Sequence, residues 1–304
     1  SKNKTAYIFL ILATLFWSGN FIVGKAASHF EIPPFTLNFY RWTFAWLILA
    51  PFTIKEIYKS KEHILKNIKY VLVLGITSIT LFNSIVYYSL QFTQVISGVL
   101  MISTIPVMII LFSSLLKIEK TNFFQLIGVF FSMLGVIVIV SQLNLEKIKE
   151  LNFNKGDLSI IVAMLSWALY SALLKRKKLE LSQLSLLQVI ISSGLIFLLP
   201  VYLIEMSLGR HVTLELPFFL TLSYVVLFPG LASFICWIKG IAIIGANRSG
   251  IFLHLMPIFS TIMAILIFKE KFRADAISTN GLIFPLWRYE QPRSNQLLDD
   301  NCSL

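Results

Sequence analysis

Residues 70–116 read YVLVLGITSITLFNSIVYYSLQFTQVISGVLMISTIPVMIILFSSLL, 47 positions without one Asp, Glu, Lys or Arg. A helix crosses the ~30 Å hydrocarbon core of a bilayer in roughly 20 apolar residues. The stretch is therefore too long for one crossing and suits two, with Gln91, Thr93 and Gln94 marking the turn between them. Similar uncharged runs lie on either side. Before it come Thr5 to Gly24 and Ile32 to Ile54, the latter interrupted only by Arg41. After it come runs near Phe123 to Ser141, Leu158 to Leu174, Leu184 to Ile204, Phe218 to Trp237 and Ser249 to Phe268, with a tenth beginning near Ala276. The whole chain is 57% hydrophobic and only 13% charged, against about 25% charged in soluble domains. The fold class is all-α and polytopic in a membrane.

The net charge of +11 does not mark a nucleic-acid binder. Its cations sit in short clusters between apolar runs, where they orient a membrane protein and meet anionic headgroups. With the N-terminus placed in the cytoplasm, 15 Lys and Arg of spans one to nine and their flanks fall on the cytoplasmic side and eight on the other. That imbalance predicts a cytoplasmic N-terminus in a cell membrane. Lys175-Arg176-Lys177-Lys178 is read as a topology determinant. The two cysteines, Cys236 and Cys302, form neither a disulfide framework nor a metal-ligand spacing. The first run shows no cleavage site and is read as a retained helix.

The chain repeats itself. Trp17 and Lys25 recur 150 residues on as Trp167 and Lys175, and Pro106, Glu119 and Lys120 recur 151 residues on as Pro257, Glu270 and Lys271. Five helices per copy is an odd number, so the second copy enters the membrane upside down. Such inverted repeats place a solute site at the repeat interface near the midplane. The expected units are 1–141 and 142–287.

Several motifs, in order, resemble one family. Phe16-Trp17-Ser18-Gly19-Asn20 through Lys25, then Ile32-Pro33-Pro34 with Phe39-Tyr40-Arg41-Trp42, resemble the first two helices of EamA-type permeases of the drug/metabolite transporter superfamily. Trp167-Ala168-Leu169-Tyr170 with Lys175-Arg176 resembles the start of their second repeat. Gly245-Ala246-Asn247-Arg248-Ser249-Gly250 through Pro257 and Lys269-Glu270-Lys271 resembles their ninth helix. The resemblance implies ten helices as five plus five around a central cavity. It also implies secondary transport or export of a small metabolite such as an amino acid. The chain departs from that pattern at its end. Ala276 to Trp287 gives only twelve uncharged residues, about 18 Å of helix, before the polar stretch from Arg288 to Asn295. The expectation is a truncated tenth helix, a reading frame lost near Phe284, and a disordered polar tail over 288–304.

Candidate transport residues follow from what is costly in lipid. Arg41 is a full charge inside a span, which costs at least ~2.5 kcal/mol on insertion scales without a partner or a wet cavity. It is read either as a receptor for an anionic solute group or as a structural pair with the backbone. Trp17, Asn20, Asn83, Tyr87, Tyr88, Trp167 and Tyr170 are amides and aromatics within spans, suited to a cavity for a flat or apolar ligand. His254 is read as a proton-coupling group or as a neutral interhelical partner. Pro106, Pro229 and Pro257 are candidate hinges, since each removes a helix donor. Gly75, Gly98, Gly128, Gly135, Gly194 and Gly250 are read as close-packing positions.

No convergent acid, base or metal set appears, so neither catalysis nor any cofactor or metal is expected. A channel would line its pore with repeated charges or carbonyl rings, and paired inverted halves argue against it. The alternatives kept open are an inactive truncated or frame-shifted product and a membrane-embedded enzyme. The expected partners are a small-molecule solute and the lipid bilayer, with proton coupling and a homodimer left open and nucleic acid excluded.

Overall fold

The computed structural model describes residues 2–92, 101–102, 104–119, 127, 130–131, 155–176, 179–256, 258–260 and 263. All but the last fall in the compact unit Ser1–Ser260; the second unit is Thr261–Leu304. Thr93, Gln94, most of the fifth run, Pro257, Glu270, Lys271, the tenth run and the tail 288–304 lie outside the described residues, as do Gly98, Gly128 and Gly135.

Every regular element among the described residues is helical. Among the described residues five helices are long and apolar enough to cross a membrane: Asn3–His29, Ile68–Ser89, Leu158–Arg176, Gln183–Ser207 and Leu216–Ile244. The first belongs to α1 (Lys2–His29). It gives way at Glu31, whose φ of +54° is left-handed. Pro33 then caps α2 (Pro34–Lys59), and Pro34 opens it, a position where the missing N–H costs nothing. The 26 residues of α2 rise about 39 Å, enough to cross, although Asn38 and Arg41 dilute its apolar run. A short helix, α3 (Lys61–Lys66), leads into the next crossing.

That crossing is not uniform. It runs as α4 (Ile68–Gly75), a π-helical segment Ile76–Phe82, and α5 (Asn83–Ser89). After α6 (Ile105–Leu115), α7 (Lys155–Arg176) and α8 (Gln183–Ser207), the same construction returns. It is α9 (Leu216–Val225), a π-helical segment Val226–Ala232, and α10 (Ser233–Ile244). The two π segments are seven residues each and stand 150 apart, the offset that relates Trp17 to Trp167. Gly245, at φ +87°, ends α10, and the short helix α11 (Ala246–Gly250) follows.

The repeat also shows at the helix ends. Lys25 Nζ donates to the Leu90 carbonyl just past α5, and Lys175 Nζ donates to the Ala242 carbonyl near the end of α10. Both repeat-related lysines therefore cover C-terminal carbonyls, where a cation is favoured.

The pairing of α2 with α8 fixes the sense of the repeat. Glu205, near the end of α8, accepts from the Thr36 amide at 2.6 Å and the Thr36 hydroxyl at 2.9 Å, at the start of α2. Glu56, near the end of α2, accepts from the Ser182 amide at 2.7 Å and from the hydroxyls of Ser182 and Ser185 at the start of α8. These equivalent helices run antiparallel and each carboxylate caps the other's N-terminus, so the repeats are inverted. A carboxylate at a helix N-terminus satisfies orphan amides and meets the positive end of the helix dipole. Glu119 does the same for α11, accepting from the amides of Ala246 and Asn247 at 3.1 Å each.

Gly75 and Gly194 bear out the close-packing reading where α4 meets α8. A Cβ on Gly194 would stand 2.4 Å from Ile79 Cβ, and one on Gly75 would stand 2.6 Å from the Gly194 amide. Gly194→Ala is expected to cost about 1–3 kcal/mol through overpacking and to lower the unfolding midpoint in detergent. An unchanged midpoint would contradict this contact.

Glu56 lies beyond the apolar run of α2, and the hydroxyl of Ser182, then that of Ser185, holds its carboxyl below the ordinary range. A folded pKa below the unfolded one contributes stability that is complete at neutral pH and drains away as the pH falls below about 5. Glu56→Gln is expected to lose less of its unfolding midpoint on acidification than the parent chain. Superimposable midpoint–pH profiles would contradict the cap.

Candidate functional site

The site begins with a charge that cannot reach water. Arg41, two turns into α2, is fully buried. Its Nη1 donates to Asn83 Oδ1 and to the Tyr87 hydroxyl, both at 2.8 Å. Tyr87 passes the polarity on, donating to Asn20 Oδ1 at 2.9 Å. The Arg41 guanidinium carbon also stands 4.8 Å from the centre of the Trp42 ring, a favourable cation–π distance. The network links α1, α2 and α5, and no carboxylate among the described residues enters it.

The first π segment sets the geometry of this network. A π turn disturbs the regular helical ladder, and side chains can then reach its carbonyls. Ser166 donates to the Thr77 carbonyl at 2.7 Å, Asn83 Nδ2 to Ser78 at 2.8 Å, and Asn38 Nδ2 to Ile79 at 3.0 Å. Because the Asn83 amide nitrogen is engaged by Ser78, its oxygen is left facing Arg41. The second π segment approaches from the other side. Trp17 Nε1 donates to the Pro229 carbonyl at 3.0 Å, and a Cβ on Gly230 would lie 3.5 Å from Arg41 Nε. The guanidinium is thus held between the two repeat-related irregular segments.

Beside it is an aromatic cluster at the junction of the repeats. Trp17 and Trp167 meet edge to face with ring centres 5.1 Å apart. Residues related by a repeat can touch each other only near the axis that relates them, so this contact marks the repeat interface. Phe82 packs on Trp167 at 4.6 Å, and Phe234 lies against both tryptophans at 5.8 and 5.3 Å. A cavity of about 20 Å³ is lined by Trp17, Asn20, Phe82, Asn83 and Trp167, together with Ile102, Ile105, Leu253 and Met256. That is room for about one water and not for an organic solute.

Of the residues picked from the sequence, Trp17, Asn20, Asn83 and Trp167 share the cavity wall, and Arg41 and Tyr87 lie directly behind it. Tyr170 is buried behind Trp167, with ring centres 5.0 Å apart. Tyr88 packs on Phe35 and Phe92 instead. His254 is half-buried in the 3₁₀ turn Ile251–His254, whose Leu253 faces the cavity. Pro106 occupies the first turn of α6, and Pro229 lies within the second π segment. The sequence reading missed Phe82, Phe234 and the capping role of Glu205. Phe82 stands directly before Asn83, so the amide was the available signal.

The comparisons with known proteins agree with this architecture. The model of the EamA-like transporter family matches residues 4–141 and 154–285. An uncharacterized transporter, YyaM, of Bacillus subtilis is 24% identical over 86% of this chain and 86% of its own length. An uncharacterized transporter of Archaeoglobus fulgidus is 27% identical over 88% of this chain and 91% of its own length. A crystal structure with a TM-score of 0.65 and 17% identity covers 90% of this chain and 91% of that one, a likeness of fold. The chain belongs to the EamA-like transporter family.

Tyr87→Phe removes an acceptor from Arg41 and a donor from Asn20. Leaving buried polar groups unmade is expected to cost about 1–3 kcal/mol. Combined with Asn20→Ala, the two losses should be strongly sub-additive in a thermal-unfolding cycle. Strict additivity would show that the relay does not act as a unit.

Proposed function

We propose that this member of the EamA-like transporter family carries a small organic solute, such as an amino acid or a related metabolite, by alternating access. The solute is held between the repeats, 1–141 and 142–287. The observation that supports this reading is the cavity shared by Trp17 and Trp167, the same residue from each repeat, at the repeat interface. A site on the relating axis is the one place that two inverted halves can expose in turn to either side. The tryptophans and Phe82 offer flat apolar surface, and Asn20 and Asn83 offer the few hydrogen bonds that orient a ligand. The cavity as it stands is too small for an organic solute and must widen to admit one.

In this reading the π segments are where the crossings bend. Pro229 and Gly230 allow the second to flex, and side-chain partners hold the first. The end caps from Glu205 and Glu56 lie at opposite ends of the α2–α8 pair, so each can part while the other holds. The excess of Lys and Arg on one side supports a cytoplasmic N-terminus in this reading.

Purified chain in proteoliposomes, given a panel of radiolabelled metabolites, is expected to show saturable flux of at least one solute. Trp167→Ala should lower that flux at least tenfold while the protein stays folded. Ohmic conductance, or no flux from any solute, would overturn the reading.

A further inference from the structure

The buried guanidinium is half used. Its Nη1 makes two hydrogen bonds, while Nε and Nη2, equally buried, make none among the described residues. Those two nitrogens are not scattered. In a guanidinium the Nε–H and one Nη2–H point the same way, forming the side edge that accepts both oxygens of a carboxylate in one plane. Asn83 and Tyr87 therefore hold the group by one nitrogen and leave its two-pronged edge open. Beside Nε stands Gly230, which has no side chain to fill the space, since a Cβ there would lie 3.5 Å away.

We infer that the Nε/Nη2 edge of Arg41 is a receptor for the carboxylate of the transported solute, which makes that solute an organic carboxylate with an apolar or aromatic body. The inference rests on the cavity being the solute site. Three features of the surroundings fit this class. Trp17 lines the cavity and donates to the Pro229 carbonyl, next to the Gly230 that faces Nε, while Asn83, also on the wall, holds Nη1, so the guanidinium stands one side chain behind the cavity wall. The cavity wall is aromatic, with Trp17, Phe82 and Trp167, and carries no cation among the described residues. No carboxylate of the protein competes for the edge among the described residues. In a dehydrated site an anion gains from this cation far more than it would in water, whereas a neutral isostere gains little. The receptor must open as the segment Val226–Ala232 moves away from α2, because that segment brings Gly230 up to Nε.

The test uses the full chain in detergent micelles and in proteoliposomes, with 3-phenylpropanoate and indole-3-acetate as probes. Their amides, 3-phenylpropanamide and indole-3-acetamide, are the neutral controls. The carboxylates are expected to raise the unfolding midpoint and to inhibit solute flux competitively, with the amides at least tenfold weaker. Arg41→Lys keeps the charge and loses the two-pronged edge, so it should bind the carboxylates at least tenfold more weakly. Should that variant fail to fold, the comparison of acids with amides on the parent chain still decides. Equal effects of acid and amide, full carboxylate binding by a folded Arg41→Lys, or a preference for phenyl phosphate over the carboxylates would each overturn the inference. Saturable flux of neutral solutes that carboxylates leave untouched would overturn this receptor and leave the transport reading standing. Arg41-dependent carboxylate binding without any flux would uphold the receptor and overturn transport.

Discussion

A guanidinium inside a membrane helix must be held by the protein or drawn to water, and Arg41 is held. Its two acceptors come from α5, one directly after the first π segment and one a turn further on. The second π segment brings Gly230 against its other face. The position of the charge thus depends on both repeats keeping the same irregularity at the same place. A regular α-helix over Ile76–Phe82 would rotate Asn83 away from Arg41 and return the Ser78 carbonyl to the helical ladder. The irregular backbone and the buried charge support each other, and neither is stable in lipid alone.

The same demand for partners shapes the helix ends of the bundle. Helix ends meet carboxylates of other helices at their N-termini and lysines at their C-termini, in both repeats. The caps at the two ends of the α2–α8 pair come from opposite helices. This arrangement makes the pair symmetric in kind, with a latch at each end. In the proposed transport cycle, the two caps would part in turn around the shared centre of Trp17, Trp167 and Arg41.

Much of this was legible in the sequence. Uncharged runs marked the crossings, and the offset of 150 between Trp17 and Trp167 marked the repeat. The inversion followed from an odd helix number, and the antiparallel caps of α2 and α8 agree with it. Arg41, Asn20, Asn83 and Tyr87 stood out because polar groups are rare in such runs, and they prove to be one network. The π segments were hidden. Pro229-Gly230 hinted at the second, but the first, ITSITLF, carries no breaker and is set by tertiary partners such as Asn38 and Ser166. Glu205 stands one residue past the run Leu184 to Ile204, and sequence cannot show that its carboxylate is buried against the start of a distant helix.

The most direct measurement is an ¹⁵N-resolved NMR spectrum of the arginine side chains of the chain in nanodiscs, with Arg41 assigned by its loss in Arg41→Lys. A guanidinium fixed through Nη1 and open along Nε and Nη2 should show slow rotation, with resolved Nη1 protons shifted as hydrogen-bonded donors and an Nε–H without that shift. A single averaged Nη signal for Arg41, like that of a freely rotating side chain, would contradict the account.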